Sequence, residues 1–98
     1  MNQTSAHVET DKPYYQIGMQ QGTIVYIHGL VPTLPNGTVT VSVKSPYGMY
    51  KTLTVHTDRS GSFSLPYIVD VNAPIGTYVV TADYKGGEVS VSFYVMRG

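Results

Sequence analysis

Three histidines are the side chains best suited to metal or acid–base chemistry in this 98-residue chain. His7, His28 and His56 all fall in segments that alternate apolar and polar residues, the pattern of β-strands. A zinc site needs neutral imidazoles that converge with tetrahedral geometry, and no spacing in the sequence indicates such convergence. We therefore expect surface histidines rather than metal ligands. His28 and His56 are the pair to compare in space, because their strands could lie in either sheet.

The remaining polar residues do not form a recognisable catalytic motif. Cysteine is absent, which excludes disulfides, thiolate zinc sites and cysteine nucleophiles. No nucleophile elbow occurs, and both glutamates lie in or beside predicted strands without any sign of a cleft. Asp58, Asp70 and Asn72 could supply oxygen ligands to calcium, but turn formation explains them better. We predict a non-enzymatic protein with no cofactor and no metal.

Nine tyrosines and no tryptophan raise the alternative of carbohydrate binding, since aromatic faces stack on sugar rings. Tyr47 and Tyr50 flank Gly48 in one predicted loop and are the candidate sugar-stacking residues. Tyr14, Tyr15 and Tyr67 fall in other predicted loops. Tyrosine is also at home in strands and half-buried turns, and we favour that interpretation.

Asn2 and Asn36 each begin an N-x-[ST] triplet, the acceptor pattern for N-glycosylation. Such triplets are frequent by chance, and Asn36-Gly37 is equally good turn chemistry ahead of a strand. Both asparagines are candidate glycosylation sites, and glycosylation would agree with an exported protein.

The composition favours strands over helices. Six basic and six acidic side chains give a formal net charge of +0, which removes the attraction to nucleic-acid backbones. No segment approaches the run of about 20 apolar residues that a membrane helix needs, so we expect no membrane insertion. The N-terminal residues also lack the basic and apolar regions of a signal peptide.

Turn signals divide the chain into seven candidate strands with one apolar face each. The short turns and single apolar faces predict a seven-stranded antiparallel two-sheet β-sandwich, immunoglobulin-like with a Greek-key topology. The predicted strands are Ala6–Thr10, Thr23–Val31, Thr38–Lys44, Tyr50–Thr57, Ser62–Leu65, Thr77–Tyr84 and Glu88–Met96.

The second predicted strand departs from this pattern because both of its faces are apolar. Ile24, Tyr26 and Leu30 line the face opposite the predicted core. One interpretation, which we favour, is that the preceding segment 14–17 folds over this strip. The other is that the strip is exposed and contacts a neighbouring domain.

Three motifs resemble those of macroglobulin-type (MG2-like) modules and related bacterial and archaeal cell-surface immunoglobulin-like modules. They are the segment Val8–Tyr15 followed by Gly18, which is similar to TDKPxYxPG, then Asp58–Phe63, similar to DxxGSF, and Ala73–Ala82, similar to xPxGTYxVTA. A closing F-x-V follows at Phe93 and Val95. The resemblance covers about 8–95 and implies an immunoglobulin-like fold in an extracellular setting. The second proline of the first motif is missing, and no bait or thioester motif occurs, so protease trapping is not implied.

We expect an immunoglobulin-like domain over residues 8–96, with residues 1–7 as a tail or the start of the first strand and 97–98 as a tail. Its expected function is that of a non-catalytic structural and interaction module of a larger secreted or cell-surface protein of prokaryotic, including archaeal, origin. The expected partners are neighbouring domains of the same protein or other cell-surface proteins. Two alternatives stay open: a carbohydrate-binding accessory module of a secreted enzyme, and an extracellular filament subunit assembled by donation of its N-terminal strand.

Overall fold

The computed structural model describes residues 5–98 and contains two packed β-sheets. A three-stranded sheet has the order β1-β3-β6, and a five-stranded sheet has the order β2-β8-β7-β4-β5. The prediction of an all-β sandwich is confirmed, with eight strands instead of seven. The strands are β1 (His7–Thr10), β2 (Tyr14–Ile17), β3 (Thr23–Leu30), β4 (Thr38–Lys44), β5 (Tyr50–His56), β6 (Ser62–Val69), β7 (Gly76–Tyr84) and β8 (Gly87–Arg97).

The additional strand β2 lies in the segment that we expected to cover the outer face of β3, and that expectation is wrong. After β1 the chain crosses to the other sheet at Asp11–Pro13, and β2 pairs in parallel with the end of β8. Tyr15 and Ile17 point into the core, where they are 3% and 1% exposed. The crossover allows two apolar residues at alternate positions to enter the core between the sheets, which removes more apolar surface from water than lying on an outer face. The parallel β2–β8 pair also departs from the expected all-antiparallel pairing.

The inner faces follow the predicted alternation. Val39, Val41 and Val43 of β4 are at most 1% exposed, because side chains two residues apart in a strand share one face. Three aromatic side chains pack together across β2, β8 and β7 of the five-stranded sheet. Phe93 packs edge-to-face on Tyr15, with ring centroids 5.4 Å apart, and stacks on Tyr78 at 5.0 Å. The inner face of β4 therefore agrees with the period-two pattern, whereas Tyr15, Ile17 and Val69 enter the core from segments where no strand was predicted.

Two turns beside β7 are defined by particular residues. The hairpin between β7 and β8 has the two-residue loop Lys85-Gly86, in which Gly86 adopts a positive φ (113°), and Gly87 begins β8. The hydroxyl of Tyr78 donates a hydrogen bond to the carbonyl of Pro74 at 2.7 Å. This is the arrangement of a tyrosine corner, in which a phenol donates to a backbone carbonyl a few residues upstream. Within residues 5–98, no helix is long and apolar enough to cross a membrane.

Candidate functional site

The outer face of the three-stranded sheet carries a group of exposed apolar side chains. Ile24 lies opposite Ile68 in the antiparallel register, and Tyr26 lies opposite Pro66. Ile24, Tyr26 and Ile68 are 44%, 55% and 68% exposed, and Pro66 is exposed as well. We refer to Ile24, Tyr26, Pro66 and Ile68 as the apolar patch. Because directly opposite residues of neighbouring strands have adjacent side chains, the patch is continuous across β3 and β6.

Half of the patch was not predicted from the sequence. The strand predicted over Ser62–Leu65 is longer in the structure, where β6 continues through Pro66 to Val69. The period-two series Phe63, Leu65, Tyr67 and Val69, which continues across the proline, is the signal that could have extended the strand. Leu30, the third residue of the predicted contact strip, is half-buried at the other end of β3, opposite Ser62. The pair His28 and Ser64 separates it from the patch.

A shallow groove of about 590 Å³ borders the patch at the start of β3. Ile24 and Ile68 line one part of it, and the loop before β3 lines another. Gly22 allows the loop before β3 to lie close to the end of β6, because a side chain at this position would collide with the carbonyl oxygen of Val69. The loop before β3 therefore packs directly on the end of β6, which brings both isoleucines to one surface.

Asp11 forms two hydrogen bonds with the backbone of Tyr26, on the edge of β3 that faces β1. The carboxylate oxygen Oδ1 of Asp11 accepts a hydrogen bond from the Tyr26 N–H at 3.0 Å, and the Asp11 N–H donates to the Tyr26 carbonyl at 3.1 Å. The hydroxyl of Tyr15 donates to the same carboxylate and accepts from the Lys12 N–H at 2.9 Å. We call these interactions of Asp11, Lys12, Tyr15 and Tyr26 the crossover clamp. They explain physically why the first motif combines an aspartate with a tyrosine four residues later.

The crossover clamp shifts the pKa values of both of its titratable groups. Desolvation of Asp11 by itself would raise its pKa, but the hydrogen bonds from Tyr15 and from the Tyr26 backbone outweigh it. The pKa of Asp11 is therefore lowered below 3.8. Burial, followed by the hydrogen bond to the Asp11 carboxylate, raises the pKa of Tyr15 to about 12. At neutral pH the clamp thus consists of a charged carboxylate and a neutral phenol.

The three histidines line one groove of about 650 Å³ at the end of the sandwich away from the patch. His7 and His28 come from the three-stranded sheet, and His56 comes from the end of β5. The pair chosen for comparison, His28 and His56, therefore faces a common space. Within the part of the chain that the structure describes, no three histidine or acidic side chains are placed to hold a metal ion.

The two aspartates of the calcium alternative shape separate turns. The Asp58 carboxylate accepts hydrogen bonds from the N–H groups of Ser60 and Ser62, at 2.9 and 3.0 Å, and from the Ser60 hydroxyl at 2.7 Å. These bonds, first of all the one from the Ser60 hydroxyl, lower the pKa of Asp58. Asp70 accepts from the Asn72 N–H at 2.8 Å. Asp58 and Asp70 flank opposite ends of the eight-residue strand β6, about 26 Å apart, so they cannot bind one ion.

The tyrosines proposed to stack on sugars lie on the β4–β5 hairpin. Tyr47 and Tyr50 are 80% and 66% exposed, and the Lys44 ammonium lies 5.8 Å from the centre of the Tyr50 ring. Of the other loop tyrosines, Tyr15 is in the core and Tyr67 is half-buried. These two are therefore not available for stacking on one surface with the hairpin.

Of the two candidate glycosylation sites, Asn36 lies within the described residues. Asn36 is exposed in the turn before β4 and has a positive φ of 53°. This conformation agrees with the turn role expected for Asn36-Gly37, since asparagine tolerates the left-handed region better than most residues. Asn2 lies outside the described residues.

Solved structures of two bacterial proteins share this architecture. The fold superposes on part of trypsin-activated alpha-2-macroglobulin from Escherichia coli with a TM-score of 0.76 and 19% identity, over 93% of this chain. It superposes on part of a Salmonella alpha-2-macroglobulin mutant with a TM-score of 0.72 and 27% identity, over 95% of this chain. The chain is a macroglobulin-like domain. The resemblance inferred from its three motifs is confirmed.

The macroglobulin-like domain is small beside these proteins. It spans 6% of the length of each of the two bacterial chains. No protein-family profile matches its sequence, and neither does any curated protein. The likeness therefore rests on the three-dimensional fold together with the motifs.

Proposed function

We propose that this macroglobulin-like domain is a non-catalytic structural unit of a larger exported protein, and that it packs its apolar patch against a neighbouring domain of the same polypeptide. The observation that carries the proposal is the exposure of Ile24, Tyr26 and Ile68 on the outer face of a sheet. Apolar side chains that are contiguous on a sheet surface are typical of contact sites.

Three further features support this role. The chain matches only 6% of the length of each of the two bacterial chains, so a domain of this kind has neighbours in those proteins. The patch is built on two paired strands, and the crossover clamp holds the backbone of one of them at Tyr26. An exported setting agrees with the motif resemblance and with the hydroxyl-rich, weakly charged surface, since only 12% of the residues are charged.

The test compares the isolated domain with the polypeptide that carries it. Carbene footprinting should label Ile24, Tyr26 and Ile68 strongly in the isolated domain and at least about tenfold less in the longer protein. Met49, which is 75% exposed on the β4–β5 hairpin, serves as the reference residue. Equal labelling of the patch in both forms would refute the proposal.

A pair of variants gives a second measurement. Ile68→Ser should leave the free energy of unfolding of the isolated domain within about 0.5 kcal/mol, because the side chain is already exposed. The same change should lower the stability of the longer protein by about 1–2 kcal/mol, since 68% of the isoleucine is exposed and full burial contributes about 1.5–3 kcal/mol. Met49→Ser is the matched control and should affect neither form.

Carbohydrate binding remains a second candidate because Tyr47 and Tyr50 are both exposed on one hairpin. A glycan array probed with the isolated domain tests it. Binding that is lost in Tyr50→Ala but kept in Tyr14→Ala would establish this function. We do not propose assembly by donation of the N-terminal strand, since β1 pairs with β3 of its own sandwich along its whole length.

A further inference from the structure

The edge strands along the two long sides of the sandwich differ in length. On one side, β1 and β2 each have four residues, and the same stretch of chain supplies both edges by crossing between the sheets. On the other side, the edges are β5, with seven residues, and β6, with eight. Long unpaired edges expose backbone N–H and C=O groups that can pair with another strand.

The β6 edge is blocked by Pro66. The backbone N–H and C=O of Tyr26 are bonded to Asp11 on the β1 side of β3, so Tyr26 and Pro66 form a pair without mutual hydrogen bonds. The nitrogen of Pro66 therefore points away from β3, toward the outer edge. Since proline has no N–H, this edge lacks a donor at its middle, a common protection of edge strands.

The β5 edge contains no proline. Its one charged side chain, Lys51, lies opposite Val43 and therefore on the inner face, where its ammonium is 5.8 Å from the centre of the Tyr67 ring. Two hydrogen bonds fix which of its backbone groups face β4: the Thr57 N–H donates to Gly37, and the Met49 carbonyl accepts from Ser45. In an antiparallel ladder the direction alternates from one residue to the next. Among the strands of residues 5–98, β5 pairs with β4 alone. The outward N–H and C=O groups therefore belong to the even-numbered positions Tyr50, Thr52, Thr54 and His56.

We infer that the β5 edge binds the β5 edge of a second copy of this chain in antiparallel orientation, which joins the two five-stranded sheets into one. In the symmetric register, Thr52 lies opposite Thr54 of the second copy, and Tyr50 lies opposite His56 of the second copy. Leu53 lies on the two-fold axis, opposite its own counterpart. All four outward residues then fall in hydrogen-bonded pairs, which gives about eight hydrogen bonds.

A second copy is the occupant that the edge fits best, because the two-fold register places every outward N–H opposite an outward C=O and brings no like charges together. The charged residue of β5, Lys51, lies opposite Val55 of the second copy, so like charges do not meet across the interface. The formal net charge of +0 also means that two copies do not repel each other strongly.

The inner face of β5 leaves apolar surface for the partner strand to cover. Leu53 and Val55 are half-buried, whereas Val41, opposite Leu53 on the neighbouring strand β4, is fully buried. The three-stranded sheet thus covers β4 more completely than β5. An added strand would shield the rest of Leu53 and Val55 from water.

The test is sedimentation equilibrium of the 98-residue chain over a range of concentrations. The wild-type chain should form dimers, and Thr52→Pro should raise the dimer dissociation constant at least about 30-fold. Each copy loses one interfacial N–H, and two lost hydrogen bonds correspond to this factor. Because the Thr52 N–H points outward, the variant breaks no bond to β4 and should keep its circular dichroism spectrum.

Ser64→Pro is the matched control on the β6 edge. Its N–H also points outward, since it lies two residues from Pro66, and the variant should dimerise like the wild type. A chain that stays monomeric up to about 1 mM, the concentration that corresponds to very weak association, would overturn the inference. Dimerisation that survives Thr52→Pro would overturn it equally.

Two double variants test the register. Thr52→Lys combined with Thr54→Lys places like charges opposite each other and should abolish the dimer, whereas Thr52→Glu with Thr54→Lys should retain it.

Amide exchange adds a readout along the same strand. Protection of the even-numbered amides of β5 should rise with protein concentration, while Leu53, already bonded to β4, should not change. The same dissociation in both double variants, or unchanged protection at Thr52 and Thr54 in a dimer, would contradict this edge pairing.

Discussion

Removal of one hydroxyl group from the crossover clamp should destabilise the domain measurably. Tyr15→Phe deletes the hydrogen bond donated to the Asp11 carboxylate and the one accepted from the Lys12 N–H at 2.9 Å. The ring remains packed edge-to-face on Phe93, so no cavity forms. A hydrogen bond to a charged group contributes about 1.5–3 kcal/mol and a neutral one about 0.5–1.5 kcal/mol. Water can partly replace the lost partners at the exposed Asp11, so the expected loss is about 2 kcal/mol.

Urea unfolding followed by circular dichroism measures this loss. With a slope near the low end of 1–3 kcal/mol per molar urea, the midpoint should fall by about 1–2 M with an unchanged slope. Tyr94→Phe is the control, because Tyr94 is 43% exposed, and it should change the free energy of unfolding by less than about 0.5 kcal/mol. If Tyr15→Phe is no more destabilising than Tyr94→Phe, the clamp does not stabilise the crossover. A double-mutant cycle with Asp11→Asn should give a coupling energy of at least about 1 kcal/mol, and strict additivity would contradict the clamp.

Three further predictions concern pH, glycine conformation and the tyrosine corner. The pKa of Asp11 is below its ordinary value of 3.8 in the folded state, so its contribution to stability is present above about pH 4 and is lost as the pH falls through the lowered value. Asp11→Asn should therefore flatten the acid branch of the free energy of unfolding against pH, and an unchanged branch would assign the acid sensitivity elsewhere. Gly61→Ala should cost at least about 2 kcal/mol more than Gly48→Ala in urea unfolding, a difference that equal losses would disprove. Both glycines have a positive φ, near 90°, but a side chain at Gly61 would collide with the carbonyl of Val31, whereas Gly48 faces open space. Tyr78→Phe removes the hydrogen bond of the tyrosine corner, which joins two neutral groups, and should lower the free energy of unfolding by about 0.5–1.5 kcal/mol. A melting temperature equal to that of the wild type would show that water replaces the bond.

The sequence predicted the strands whose pattern is long and local, and it missed what depends on distant partners. β4 repeats valine at three alternate positions, and its predicted bounds agree with the structure. β2 has only four residues and obtains its hydrogen bonds from β8, where Tyr14 lies opposite Tyr94. Nothing in the sequence near β2 predicts that its partner is a parallel strand about 80 residues later in the chain. The end of β6 was missed for another reason: Pro66 indicates a strand end unless its nitrogen faces an outer edge.

The candidate site shows the same division. Ile24 and Tyr26 could be singled out from the sequence because they make the second face of a strand apolar. Their neighbours Pro66 and Ile68 could not, since the β3–β6 register decides which side chains share a surface. The three histidines, unrelated by spacing, line one groove for the same reason.

The sequence by itself determined the fold class and the buried face of almost every strand. This is possible because side chains alternate with a period of two whatever the strand pairs with, so the position of a valine already decides its side. The tertiary structure alone decided which sheet each strand joins, where the chain crosses between sheets and which edges stay unpaired. These features depend on contacts between residues far apart in sequence, such as the parallel pairing of β2 with β8 and the bonds from Asp11 to Tyr26. The exposed β5 edge and the apolar patch are products of that pairing, and no local pattern specifies either one.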